Sequence, residues 1–124
     1  MSCIFCDIPA AKLIAENSLA VAIYDKFPVN KGHVLIIPRR HFADFFDATS
    51  EEITAIYGLL HSTKTMLETE LKADGFNVGI NVGQAAGQTV MHLHVHLIPR
   101  FKGDVENPRG GVRKIKPNLV PYEE

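Results

Sequence analysis

Between Met91 and Leu97 the chain alternates apolar residues with histidine, reading Met91-His92-Leu93-His94-Val95-His96-Leu97. Successive side chains of a strand point to opposite faces. The period of two therefore predicts a strand with Met91, Leu93, Val95 and Leu97 on an apolar face and the three histidines in a row on the other. Core packing alone does not call for three histidines in register beside a Gly-rich loop. A strand rises about 3.3 Å per residue, so His92 and His96 stand roughly 13 Å apart along the backbone. One zinc ion, which binds histidine nitrogen at about 2.0–2.1 Å, is badly served by all three. A row of separate tasks along a polyphosphate suits the spacing better.

Imidazole is equipped for those tasks. Neutral histidine is a nucleophile near pH 7, can be oriented through its second ring nitrogen, and when protonated donates to a leaving group. A reacting phosphorus also needs donors around its oxygens. Gly87-Gln88-Thr89, just ahead of the histidines, offers backbone N–H, amide and hydroxyl groups, with glycine permitting close approach.

The rest of the chain frames this segment. Ser18 to Tyr24 reads as a strand ending at Asp25, and His33 to Ile37 as a second, β-branched strand closed by Pro38. The turn-rich Lys26–Gly32 connection suggests an antiparallel pair. Thr49 and Glu52 have capping-box spacing at the head of one long helix. Ile53, Ile56, Tyr57, Leu60, Leu67 and Leu71 are expected on its core face, with Lys64 the single break and Gly75 the left-handed stop. Phe76 to Val82 alternates as another strand, Gly83 to Gln88 is a loop, and Thr89 to Pro99 is the histidine strand. Strands gathered around one helix without regular βαβ alternation predict an α+β fold with an antiparallel sheet.

The 124 residues read as one domain, 1–124, with an irregular Gly- and Pro-bearing tail from about residue 100. A formal net charge of −1 provides no field for nucleic acid or a membrane surface. No apolar run approaches the roughly 20 residues of a bilayer span, and the first seven residues lack a signal-peptide pattern. A cytoplasmic protein is expected. The two cysteines, Cys3 and Cys6, precede any predicted strand, which favours a metal half-site over a thioredoxin-like redox motif.

Gly87-Gln88-Thr89-Val90 followed by His92-x-His94-x-His96 resembles the signature of the histidine-triad (HIT) family of nucleotide hydrolases and phosphoramidases. The resemblance runs from Cys3-Ile4-Phe5-Cys6 through Asp25, Gly32-His33-Val34-Leu35-Ile36-Ile37-Pro38 and Asn81-x-Gly83 to about residue 100. It implies a sheet of about five antiparallel strands with one long and one short helix. It also implies that His94 attacks a nucleotide α-phosphate, forming a nucleotidyl-histidine that water hydrolyses. His96 is implied to assist the leaving group, His92 to stand beside the nucleophile, and His33 to support the row from the neighbouring strand. Gly87, Gln88, Thr89 and Val90 fall at the phosphate loop, Asn81 near the nucleotide, and Asp25 at the ribose hydroxyls. Phe5, Ile8 and Ile23 fall around the base. Taken singly, Asp25 and Asn81 suit turns equally well, and the three apolar residues suit an ordinary core. Where related nucleotidyltransferases carry glutamine at the last triad position, this chain keeps His96, implying transfer to water.

The same resemblance implies a structural zinc held by Cys3, Cys6, His41 and His92, a closed set without an open coordination position. It implies no organic cofactor. A purine nucleotide substrate follows, adenine first and guanine left open, as does a homodimer. Phosphoramidates and diadenosine polyphosphates are both candidate substrates. Residues 100–116 carry six basic and two acidic side chains, and Arg100, Arg109 or Arg113 is a candidate contact for distal phosphates. Two rival readings stay open: a nucleotide-binding regulatory module with little turnover, and a metal-dependent hydrolase with zinc on His94 and His96.

Overall fold

The structure is a computed structural model and describes residues 3–121. Five strands, β1 (Ala15–Glu16), β2 (Ala20–Tyr24), β3 (Val34–Pro38), β4 (Gly75–Gly79) and β5 (Val95–Arg100), form one sheet in the order β1-β2-β3-β5-β4. Every pairing is antiparallel. One α-helix, α1 (Ser50–Leu71), covers one face; the remaining helical pieces are 3₁₀ turns, among them Ala10–Lys12 and Gln84–Ala86. The fold is α+β, as expected.

β3 explains the layering. All five of its residues are buried, because both sheet faces are covered there. Val34 and Ile36 point to the helix side, joining Ala20, Ala22, Leu59, Leu67, Leu93, Val95 and Leu97 in the main core. Leu35 and Ile37 point the other way, with Val21, and are roofed by Phe5, Ile8, Leu13 and Ile23. A strand buried on both faces reads as a continuous apolar run, as His33–Ile37 does. On β5 the alternation sends Val95 and Leu97 into the main core. The histidine face is therefore the one opposite the helix.

Gly32 closes the β2–β3 connection with φ +91°, and a Cβ there would stand 2.6 Å from Leu71 Cδ1. Both the left-handed backbone and the close helix demand glycine. The turn then returns the chain so that Asp25 N–H donates to His33 O.

The helix starts as its capping box predicts: Thr49 Oγ1 accepts from Glu52 N–H, and Glu52 Oε1 from Thr49 N–H. Its core face, however, is Glu52, Ile56, Leu59, Thr63 and Leu67. Ile53 and Tyr57 are exposed, at 37% and 65%. Of the expected stripe, Ile56 and Leu67 are buried and Leu60 and Leu71 pack partly buried against the core, but the buried face is turned toward Glu52, Leu59 and Thr63. Two buried polar residues hid the true face. Thr63 satisfies its hydroxyl on Leu59 O at 2.6 Å, and Glu52 is gripped by Arg40 Nε and Nη2 at 3.0 and 2.8 Å. The helix also ends earlier than expected. Lys72 takes the left-handed cap, with φ 59°, and Gly75 opens β4.

The two late strands are shorter than the sequence suggests. β4 stops at Gly79, which pairs with His96, so Ile80, Asn81 and Val82 lie beyond it. β5 begins at Val95, because residues 89–94 leave the sheet to place His92 in a separate cluster. Met91 is exposed and does not join the apolar face.

The Arg40–Glu52 pair makes the fold acid-sensitive in a defined window. Its hydrogen bonds to Arg40, chiefly, hold the Glu52 carboxyl at about 2, against an ordinary 4.5. Because the folded value is the lower one, the stabilisation is complete above about 4.5 and is lost as pH falls toward about 2. Glu52→Gln is expected to unfold at lower urea than the parent at pH 7. The two midpoints should converge as pH falls through that window; parallel curves would rule the pair out.

Candidate active site and metal centre

Three histidines leave the chain on the face away from α1, and each imidazole has one nitrogen committed to a different partner. His94 Nδ1 lies 2.9 Å from His92 O. A carbonyl can only accept, so Nδ1 carries the proton and Nε2 holds the lone pair. His92 is fully buried, and its Nε2–H donates to Pro38 O at 2.7 Å. Its lone pair is therefore on Nδ1.

His96 is set through a longer chain of reasoning. Val29 N–H donates to His33 Nδ1 at 3.0 Å, which places the His33 proton on Nε2. His33 Nε2 lies 2.9 Å from His96 Nδ1, so it donates there and leaves His96 with its proton on Nε2. That Nε2 is buried and has no partner among the described residues. An unpaired buried donor beside the His94 ring, 5.3 Å away between centroids, is a group waiting for an acceptor. Burial pulls the His33, His92 and His96 imidazoles below their ordinary value, which keeps them neutral near pH 7.

Asp25 joins this row. Its Oδ1 accepts from Phe27 N–H at 2.9 Å, while Oδ2 lies 3.4 Å from His33 Nε2 and 4.0 Å from His96 Nδ1. The turn and the carboxylate cluster are thus both real. Phe5, Ile8 and Ile23 come together over Val21, Leu35 and Ile37, and the Phe5 ring stands 5.1 Å from that of His94. Asn81 is half-buried just beyond β4.

The Gly-rich loop is arranged otherwise than expected. Gly87 N–H and Gln88 N–H donate to Gln84 O and Gly83 O, closing the loop on itself. Gln88 is buried: its Oε1 accepts from Gly83 N–H, and its Nε2 donates to Ala43 O and Val90 O. Gly87 and Gln88 thus brace the loop that precedes the histidines. Thr89 is exposed and Val90 half-buried at its exit. Arg100 is likewise held by partners within the fold. Its guanidinium holds Asp104 through Nε and Nη2 at 2.7 and 2.8 Å, and Asn77 through Nη1 at 2.7 Å. These braces escape sequence reading, although the i, i+4 spacing of Arg100 and Asp104 was a visible signal.

At the other end of the row, Cys3, Cys6, His41 and His92 bring their ligand atoms within 4.8 Å of one another. His92 Nδ1 lies 3.5 Å from each sulfur, and His41 Nδ1 lies 3.2 Å from both His92 Nδ1 and Cys6 Sγ. A zinc tetrahedron with bonds of about 2.05 Å to nitrogen and 2.3 Å to sulfur has N–N edges near ~3.3 Å and N–S edges near ~3.6 Å. The donor set, its spacing and the outward lone pair of His92 all fit such an ion. Pro38 O supplies the supporting hydrogen bond that zinc-bound histidines generally make.

A row of imidazoles on the open face of an antiparallel sheet, backed by one helix, defines a histidine-triad architecture. The HIT domain model matches residues 8–103, and the chain belongs to the histidine-triad (HIT) family. It is 40% identical over 105 residues to an uncharacterized HIT-like protein of Mycoplasma genitalium, covering 82% of this chain and 74% of that one. It is 34% identical over 119 residues to a bis(5'-adenosyl)-triphosphatase of Dictyostelium discoideum, covering 94% and 80%. The crystal structure of a Zn-bound histidine triad family protein from Mycobacterium smegmatis superposes with a TM-score of 0.75 at 34% identity, covering 98% of this chain and 85% of the other. No helix among the described residues is long and apolar enough to cross a membrane.

Proposed function

We propose that the chain hydrolyses purine nucleotide conjugates at the α-phosphate, with His94 as nucleophile. One observation carries the reading: His94 donates Nδ1–H to His92 O, so its Nε2 lone pair is free and held in one direction. In the proposed reaction this lone pair attacks the α-phosphorus, a P–N bond forms, and the bond to the leaving group breaks. His96, which takes up a proton from solvent as the anionic substrate binds, gives its Nε2–H proton to the departing atom and returns to the neutral ring. Water then attacks the nucleotidyl-histidine, His96 takes a proton back, and the P–N bond to His94 breaks to release the nucleotide. His33, fixed by Val29 N–H, holds the His96 ring so that its Nε2–H is directed at the leaving group.

Phe5, Ile8 and Ile23 form the apolar wall for the base, and adenine is the base proposed. Cys3, Cys6, His41 and His92 would hold a zinc ion, which with four protein ligands supplies cross-linking of the N-terminal segment. The exposed Tyr57 of α1 and Val78 of β4 support a homodimer formed through that side of the molecule.

The test is side-by-side turnover of adenosine phosphoramidate and diadenosine tetraphosphate, followed by chromatography. AMP is expected from the nucleotide half of both, with an adenylyl-protein trapped by rapid acid quench. Tight nucleotide binding with no AMP from either substrate would replace hydrolysis by a binding role.

A further inference from the structure

The two sites described above share a residue and a wall. His92 turns Nδ1 toward Cys3, Cys6 and His41, while its carbonyl accepts the proton that orients His94. Phe5 lies in the loop between the two cysteines, which Cys6 N–H closes onto Cys3 O at 3.0 Å. Its ring meets both histidines edge-on, at 5.1 Å from His94 and 6.2 Å from His92. Ile4 is 67% exposed, and Phe5 rests only partly buried on the small cluster of Val21, Leu35 and Ile37.

We infer that the Cys3/Cys6/His41/His92 centre is a positioning device for the nucleophile: zinc bound there presses Phe5 and His92 against His94 and holds it in its reactive tautomer and rotamer. This rests on the reading of His94 as nucleophile. Four ligands drawn from three separate segments cannot shift independently once they share an ion. The loop carrying Phe5 and the carbonyl of His92 are then fixed relative to one another, and His94 is fixed between them. Without the ion, two sulfurs and two imidazole lone pairs face each other with only weak hydrogen bonding, and the loop loses its tether. The main core contains none of the four ligands and lies on the opposite face of the sheet. Metal loss is therefore expected to slacken His94 while the fold stands. Cys6 and His41 are exposed, so a chelator reaches the centre.

The experiment compares zinc-loaded full-length protein with the same protein after chelation and after zinc is restored. Three quantities are read without changing the chain: far-UV circular dichroism, the ¹⁵N imidazole pattern of His94 in the absence of nucleotide, and single-turnover formation of adenylyl-protein at saturating substrate. Chelation is expected to leave the dichroism intact and to turn a single Nδ1–H pattern into an averaged one. Adenylyl-protein should form at least about tenfold more slowly, since small misplacement of a reacting group costs on that scale or more. Zinc should restore both. In zinc-loaded Phe5→Leu, metal content should be unchanged while the His94 pattern is again averaged.

An unchanged His94 pattern and rate after zinc loss would overturn the inference. So would loss of the dichroism with the metal, which would make the ion a staple of the whole fold. If neither substrate is turned over yet the His94 pattern still follows zinc, the coupling stands and the hydrolase reading fails.

Discussion

Replacing His94 by alanine is expected to lower AMP release by at least about 10⁴-fold, to the limit of detection, with the protein still folded. The size follows from the chemistry: without the imidazole no P–N bond can form, and removal of a covalent nucleophile typically costs four or more orders of magnitude. The position tolerates the change structurally. His94 is half-buried on the open face, and its one hydrogen bond goes to the neighbouring His92 carbonyl. Acid-quenched mixtures should contain adenylyl-protein for the parent and none for the variant. A variant retaining a tenth of parental turnover would exclude His94 as nucleophile and point to direct attack by water.

His96→Asn should show the second largest effect, and its size should depend on what departs. His96 Nε2–H is a buried donor without a partner beside the nucleophile, fixed in that tautomer by His33 and, beyond it, by Val29 N–H. General acids contribute roughly 10²–10⁴-fold where the departing atom needs a proton. Release of the amine from adenosine phosphoramidate should slow on that scale. An AMP ester with a nitrophenolate leaving group departs without protonation, and its turnover should fall by less than about tenfold. Equal losses for the two substrates would assign His96 a role in binding rather than proton transfer.

Much of this arrangement was legible in the chain. The strand spacing of His94, Val95, His96 and Leu97 announces one apolar and one polar face, because strand side chains alternate whatever surrounds them. The capping box at Thr49 and Glu52 is likewise local, and it forms as read. Helix phase was legible only in part: Ile56 and Leu67 are buried as read, while Ile53 and Tyr57 are exposed. Assigning it requires knowing that Thr63 and Glu52 find partners in the folded state, and Arg40 stands 12 residues before Glu52. The same limit concealed the roles of Gln88 and Arg100. A polar side chain near a phosphate loop, or on a basic tail, looks available until the structure shows Ala43, Val90, Asp104 and Asn77 already holding it.

What the sequence by itself determined are the features set by near neighbours: the alternation from His94 to Leu97, the helix start, the glycine turn before His33, and the donor types at Cys3, Cys6, His41 and His92. What only the tertiary structure decided is which nitrogen of each imidazole carries the proton. That choice depends on Val29 N–H, Pro38 O and His92 O, backbone groups that carry no signature of the side chain, save that proline lacks the N–H. Their positions follow from the antiparallel register of β3 and β5 and from the departure of residues 89–94 from the sheet. Residue identity supplies an imidazole, and the folded backbone determines whether it attacks, donates or binds metal.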